Sequence, residues 1–335
     1  MTIPTDRRIA SISLDLDDLW TYLRTHGDPT WASRPSYLDH FVPLVLDTLD
    51  EAQVKLTFFI VGADAALERN RRVLRAIVER GHEVGNHSFE HEPWLHRYSR
   101  PRLEAELLRT QEAIADATGE RPYGFRGPGY SWSPALLEML AENGYQYDAS
   151  TLPTYLGPLA RAYYFWASGL DRAERARRKA LFGTLRDGLR PVRPYRWQLE
   201  HDRSMLEIPV TTLPGLKLPF HVTYIQYLSR LSEPVAVAYL RASLAICDLA
   251  RMSPSFILHP LDILGGDRVP QLAFFPAMDL PTSRKLALFQ RVLDLYGRTF
   301  RLVTMGTHAR ELSSGSRLPV RRPSAVPVES SIAEA

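Results

Sequence analysis

The sequence predicts an α/β fold on a mainly parallel sheet, either open or closed into a barrel. Two observations carry this. Short β-like runs alternate with helical runs over most of the 335 residues, and the polar residues that stand out lie at or just after strand ends. In parallel barrels the chemistry sits at the C-terminal ends of the strands.

Taken in order, Ile9 to Leu16 (IASISLDL) reads as a strand, and Leu38 to Ala52 has apolar residues at helical spacing. Val54 to Val61 is rich in β-branched and aromatic residues and reads as a second strand. Asp64 to Arg80 is helical, with Val73, Leu74, Ile77 and Val78 forming a stripe and Gly81 ending it. His82 to His87 is a short strand. Arg102 to Thr118 repeats the helical pattern and ends at Gly119. Tyr123 to Arg126 is a strand, Pro134 to Asn143 a helix stopped by Gly144, and Tyr145 to Asp148 a strand. The rhythm resumes with strands at Leu206 to Thr211, Phe256 to His259 and Phe300 to Thr304, and helices at Val235 to Arg251 and Thr282 to Tyr296.

Residues 1–313 are expected to form one domain, interrupted by an insertion at about 152–200. The insertion begins with aromatic residues, and its stretch 171–196 holds nine Arg/Lys against three acids. It reads as a solvated surface feature, or as a basic, aromatic flap over an anionic or lipid-linked substrate with a peripheral membrane contact. The tail 314–335 is rich in Ser, Pro and Arg and is expected to be disordered.

Composition narrows the classes. A net charge of +3 gives no support for nucleic-acid binding, and the basic insertion contains no recognisable module. With Cys247 as the only cysteine, an intrachain disulfide, a zinc finger and an iron–sulfur site are excluded. The N-terminal residues lack a signal-peptide pattern, so a cytoplasmic or membrane-surface location is expected.

Asp15-Leu16-Asp17-Asp18 gathers three carboxylates at the end of an apolar strand. Such a group is costly unless something positive neutralises it. Alternation places Asp15 and Asp17 on one face and Leu16 and Asp18 on the other, unless the strand ends at Asp17. A helix N-cap is the plainer use of such residues. His87 and His91 lie four apart after the third strand, a spacing that suits one divalent ion. Two imidazoles and one carboxylate leave positions open for water and substrate, as a catalytic site requires. Arg126 offers a guanidinium at a strand end. The small-residue turn after it, Gly127-Pro128-Gly129-Tyr130, could present N–H groups to an oxyanion. His259 follows another apolar strand.

The ordered set Asp17-Asp18, His87-Ser88-Phe89-Glu90-His91, Arg126-Gly127-Pro128, Tyr147-Asp148 and Leu258-His259-Pro260 resembles the polysaccharide deacetylase family, the NodB homology domain of carbohydrate esterase family 4. The resemblance covers most of residues 9 to 310 outside the insertion. It implies a distorted (β/α) barrel with fewer than eight strands. It also implies Asp17 as catalytic base, and Asp18, His87 and His91 as ligands of one divalent metal, usually zinc. Arg126 is implied to orient the base, His259 to be the general acid, and Asp148 to orient His259. Two imidazoles and a carboxylate also suit cobalt, nickel or iron. Three departures stand out: Asp15 where a hydroxyl residue is common, glycines at 127 and 129, and no tryptophan after Tyr147-Asp148.

The implied activity is removal of an N-acyl group, chiefly acetyl, from an amino sugar that is lipid-linked, nucleotide-linked or attached to a metabolite. The partner is then an N-acylated amino sugar, a glycolipid or a glycosylated metabolite. Glu207 to Thr212 (EIPVTT) tilts this toward a lipid-linked or bulky hydrophobic substrate. The alternatives are a hydrolase of cyclic amides, imides or ureides on the same fold, and a non-catalytic carbohydrate- or lipid-binding protein. His96 is assigned to the surface, and His82, His201, His221 and His308 show no partner pattern.

Overall fold

The computed structural model describes residues 7–157, 185–315 and 317–323. Its first strand, β1 (Ile9–Leu16), is buried along its whole length. Ala10, Ile12, Leu14 and Leu16 join the principal apolar cluster outside the sheet, whereas Ser11, Ser13 and Asp15 take the alternate face. That alternation builds both the core and the site.

Helices α1 (Leu19–His26) and α2 (Leu38–Glu51) lead to β2 (Thr57–Ile60). Then follow α3 (Glu68–Glu79), β3 (Glu83–Asn86), α4 (Arg100–Thr118), β4 (Gly124–Phe125), α5 (Pro134–Glu142) and β5 (Tyr147–Asp148). The second half holds β6 (Tyr195–Gln198), β7 (Ser204–Glu207), α6 (Val222–Leu231), α7 (Glu233–Leu249), β8 (Ser255–Leu258), α8 (Thr282–Thr299), β9 (Arg301–Val303), α9 (Met305–Gly315) and β10 (Val320–Arg321).

Parallel pairing runs β8-β1-β2-β3-β4-β5-β7. The chain after β7 closes the ring. Ile208 donates its N–H to Asp148 O and Val210 to Thr151 O, and Thr211 N then donates to Ser255 O at 2.9 Å. Ser255 N returns a bond to Thr211 Oγ1 at 2.8 Å. The result is a distorted parallel barrel of seven strands, fewer than eight as the resemblance implies. β9 pairs with the first residues of β1, and α9 packs under the barrel beside it. There Met305 N donates to Thr57 Oγ1, while Ser11 Oγ donates to Met305 Sδ and meets His308 Nδ1.

Two elements depart from the sequence reading. β6 falls within the expected insertion but pairs antiparallel with β7, burying Tyr195 and Trp197. Val320–Arg321, in the tail expected to be disordered, pairs parallel with β6. Edge pairing uses only backbone groups, so it leaves no apolar signature in the tail. The basic and aromatic residues 158–184, on which the flap and membrane-contact expectations fall, lie outside the described residues. No described helix is long and apolar enough to cross a membrane.

Candidate active site

The strand ends converge as expected: β1 supplies Asp15 and Asp17, β3 His87, β4 Arg126, and β8 His259. Asp17, His87 and His91 each contribute one ligand atom, and the three atoms lie within 4.8 Å of one another. Asp17 Oδ1 is 2.9 Å from His91 Nε2 and 3.4 Å from His87 Nε2, yet it has no hydrogen-bond partner. Three donor atoms that close, one of them orphaned and buried, fit a divalent cation better than they fit one another. Burial works to raise the Asp17 carboxyl, but the neighbouring imidazoles outweigh it and hold it well below the usual carboxylate range.

His87 is oriented by the backbone. Its Nδ1 lies 2.6 Å from Arg126 O, and a carbonyl can only accept, so Nδ1 carries the proton and Nε2 presents its lone pair. His91 sits in a left-handed turn residue, φ 52°, which brings its ring back within 5.0 Å of His87. Tyr37 Oη donates to the Asp17 carbonyl and fixes the chain between β1 and α1.

Asp18 is not a member of this cluster. Its extended backbone turns its side chain to the opposite face from Asp17. There Oδ1 caps α1, accepting from Leu19 N at 2.8 Å and from Tyr37 N at 3.0 Å. Burial pushes the Asp18 carboxyl up to about 6, against the hydrogen bonds that it accepts. Asp18, expected as a ligand, is a helix cap, and it is Asp17, expected as the base, that lies with His87 and His91.

Asp15 lies beside this cluster. Arg126 Nη1 donates to Asp15 Oδ1 at 2.6 Å and to Ser13 Oγ at 2.7 Å, while Nε donates to Ala149 O. The guanidinium lies 4.4 Å from the centroid of the Phe59 ring. Arg126 thus orients Asp15 rather than Asp17. The second carboxylate oxygen, Asp15 Oδ2, is 3.8 Å from His87 Nε2 and 4.0 Å from His259 Nε2.

His259 has a different partner from the one expected. It caps the turn Pro260–Asp262, where Asp262 Oδ2 accepts from His259 N at 2.9 Å and lies 3.9 Å from its Nδ1. Burial alone would lower His259. The nearby Asp262 carboxylate, with the charges of Asp15 and Asp17, outweighs it and pushes the imidazole up to about 9. Asp262 is itself fixed by Thr223 Oγ1 at 2.7 Å. The expected orienter, Asp148, is occupied elsewhere. It accepts from Ser150 Oγ at 2.5 Å and neighbours Glu207, which takes bonds from Thr151 and Trp197.

The glycine turn also differs from expectation. Gly127 N donates to Ser150 Oγ, Tyr130 N to Gly127 O, and Ser131 N to Pro128 O, so these N–H groups are committed. A Cβ at 127 would stand 1.9 Å from Ser131 O, and that close approach requires glycine there. Beside the turn lies a cleft lined by Tyr130, Trp132, Ser150, Thr151, Leu152 and Arg190 among others. His96 bonds Ser131 Oγ through Nδ1, away from the three-ligand cluster.

Sequence reading passed over Asp15, Asp262 and His221. Alternation already paired Asp15 with Asp17, and Asp262 stands three residues after His259 at capping-box spacing. For His221 the sequence held no signal.

Residues 10–147, which include Asp15, Asp17, His87, His91 and Arg126, match the family model described as polysaccharide deacetylase. The resemblance to the polysaccharide deacetylase family is shown over this stretch. The peptidoglycan-N-acetylglucosamine deacetylase PgdA of Listeria monocytogenes is 40% identical over 86 residues, 26% of this chain and 18% of that protein. A chitooligosaccharide deacetylase of Sinorhizobium fredii is 37% identical over 105 residues, 31% of this chain and 47% of that protein. The chain therefore spans less than half the length of these curated relatives. A solved Mycobacterium smegmatis structure named for the polysaccharide deacetylase family aligns with a TM-score of 0.61 at 20% identity, covering 97% of each chain. That likeness shows the shared fold.

Proposed function

We propose that this protein is a metal-dependent amide hydrolase that removes an N-acyl group, chiefly acetyl, from an amino sugar. The observation that carries the reading is the placement of Asp15 and His259 beside the convergent ligand atoms of Asp17, His87 and His91. Deacetylases of N-acetylated sugars among the similar proteins support it, as does the aromatic cleft with Tyr130 and Trp132 at its edge.

Asp17, His87 and His91 would hold the metal, with zinc the proposed ion. A divalent ion so held lowers the pKa of a water and polarises an amide carbonyl. The chain's own groups divide the proton transfers. Asp15, with Oδ1 held by Arg126, takes the proton of the attacking water at Oδ2. His259, charged at neutral pH, gives its Nε2 proton to the leaving nitrogen, which departs as the amine. Arg126 and Asp262 are positioning residues that fix the angles of these two groups.

The test is acetate release from a panel of N-acetylated sugars by zinc-loaded protein and by Asp15→Asn. Release by wild type, reduced by about 10²-fold or more in the variant, supports the reading. No release from any sugar, with metal bound, overturns it.

A further inference from the structure

Resting on the deacetylase reading, we propose that His221 is a substrate-recognition residue whose imidazole hydrogen-bonds a sugar hydroxyl next to the N-acyl group undergoing hydrolysis. His221 is only 6% exposed, and among the described residues neither of its ring nitrogens has a hydrogen-bond partner. Two orphaned buried nitrogens are expensive, because a lost hydrogen bond is not repaid by water. Such a group points to a partner that arrives from outside the chain.

Its position says which partner. His221 precedes the first turn of α6, the helix whose Thr223 and Gln226 hold Asp262, the residue that positions His259. The charges that act on its ring are those of Asp262, His259, Arg126 and Asp15, all members of the site. The ring is held flat against Tyr224, with centroids 4.8 Å apart and planes 8° from parallel. Tyr224 in turn lies within electrostatic reach of Tyr130 at the cleft. His221 is therefore a ring stacked in place whose charged surroundings are the groups of the site.

The chemistry selects a hydroxyl. Burial pushes the imidazole down to about 4, so it is neutral at working pH and offers one N–H donor and one acceptor. A carboxylate or phosphate would use only the donor, and an ammonium only the acceptor. A hydroxyl, itself both donor and acceptor, satisfies either nitrogen. An amide lacking that hydroxyl leaves the imidazole unsatisfied, which makes the residue a discriminator between amino sugars and plain amides.

The experiment is a binding cycle in the full chain carrying Asp15→Asn, which removes turnover. Two probes are titrated calorimetrically: an N-acetylglucosamine oligomer, and the same oligomer lacking the hydroxyl next to each N-acetyl group. They are compared with His221 intact, with His221→Phe and with His221→Gln. With His221 intact, the hydroxylated oligomer is expected to bind at least about tenfold more tightly; Phe abolishes that preference and Gln, which keeps one donor and one acceptor, restores part of it. Metal content and melting temperature control for folding. A preference that survives in His221→Phe overturns the inference, as does an equal loss of affinity for both oligomers. Failure of the deacetylase reading is seen separately, as metal-loaded wild type that releases acetate from no N-acetylated sugar, and it removes the inference with it.

Discussion

Arg126 Nη1 stands 2.6 Å from Asp15 Oδ1, an ion pair in which neither side chain is more than 6% exposed. The pair spans the barrel interior from β4 to β1 and fixes the carboxylate that the proposed mechanism uses as its base. Breaking it from one side leaves a buried charge alone. Arg126→Met is expected to destabilise the fold by about 3–5 kcal/mol. Asp15→Asn in the same chain should recover part of that loss, as measured by urea denaturation of the single and double variants.

Asp15→Asn alone is expected to keep the metal and lose turnover, by about 10²–10⁴-fold in kcat. Metal content measured on the same preparation separates this from loss of a ligand. Asp17→Asn, by contrast, should lose metal and turnover together.

The acid role proposed for His259 requires a protonated imidazole. Its pKa is raised above the usual value of about 6.5 to about 9, so activity should be full below the raised value and fall as pH rises through it. The Asp262 carboxylate, 3.9 Å from Nδ1, is among the groups that raise it. Asp262→Asn should therefore move the alkaline limb of the kcat/KM profile to lower pH, with the acid limb unmoved. A profile whose alkaline limb stays in place would exclude Asp262 as the positioning residue.

Asp148 and Glu207 form a buried carboxyl pair inside the barrel. Burial, and for Glu207 the charge of Asp148, raises both; Asp148 is pushed up to about 6 and Glu207 well above its usual range. Groups raised in this way stabilise the fold below their unfolded pKa values and lose that contribution as pH rises through the folded ones. Stability should fall between about pH 4 and 6 as Asp148 ionises, and further once Glu207 does. Glu207→Gln keeps the bonds from Thr151 and Trp197 to a neutral side chain while removing the coupling. Urea midpoints at pH 5 and pH 8 should differ less in this variant than in wild type.

Much of this was legible in the residues. β1 advertises its two faces, serines and aspartates against Ala10, Ile12, Leu14 and Leu16, and the same period of two that makes the core puts Asp15 and Asp17 together. The strand-end positions of His87, Arg126 and His259 follow from the alternation of strands and helices. Within Asp15–Asp18, motif order favours adjacent Asp17-Asp18 while alternation pairs Asp15 with Asp17, and the side chains follow alternation. Asp148 was misjudged for a related reason. Its partner depends on which strand comes next in the ring, and β7 brings Glu207 to it across a long sequence gap. β10 was invisible because an edge strand pairs through its backbone.

The most direct test is metal content by mass spectrometry on wild type, Asp17→Ala and Asp18→Ala, each purified without added metal and then offered zinc. About one ion per chain is predicted in wild type. Asp17→Ala should be empty, and Asp18→Ala should stay loaded while losing about 1 kcal/mol of stability with its helix cap. An empty Asp18→Ala beside a loaded Asp17→Ala would return the ligand role to Asp18 and contradict the site as drawn here. A wild type that stays empty with zinc, cobalt and nickel would contradict the metal centre itself.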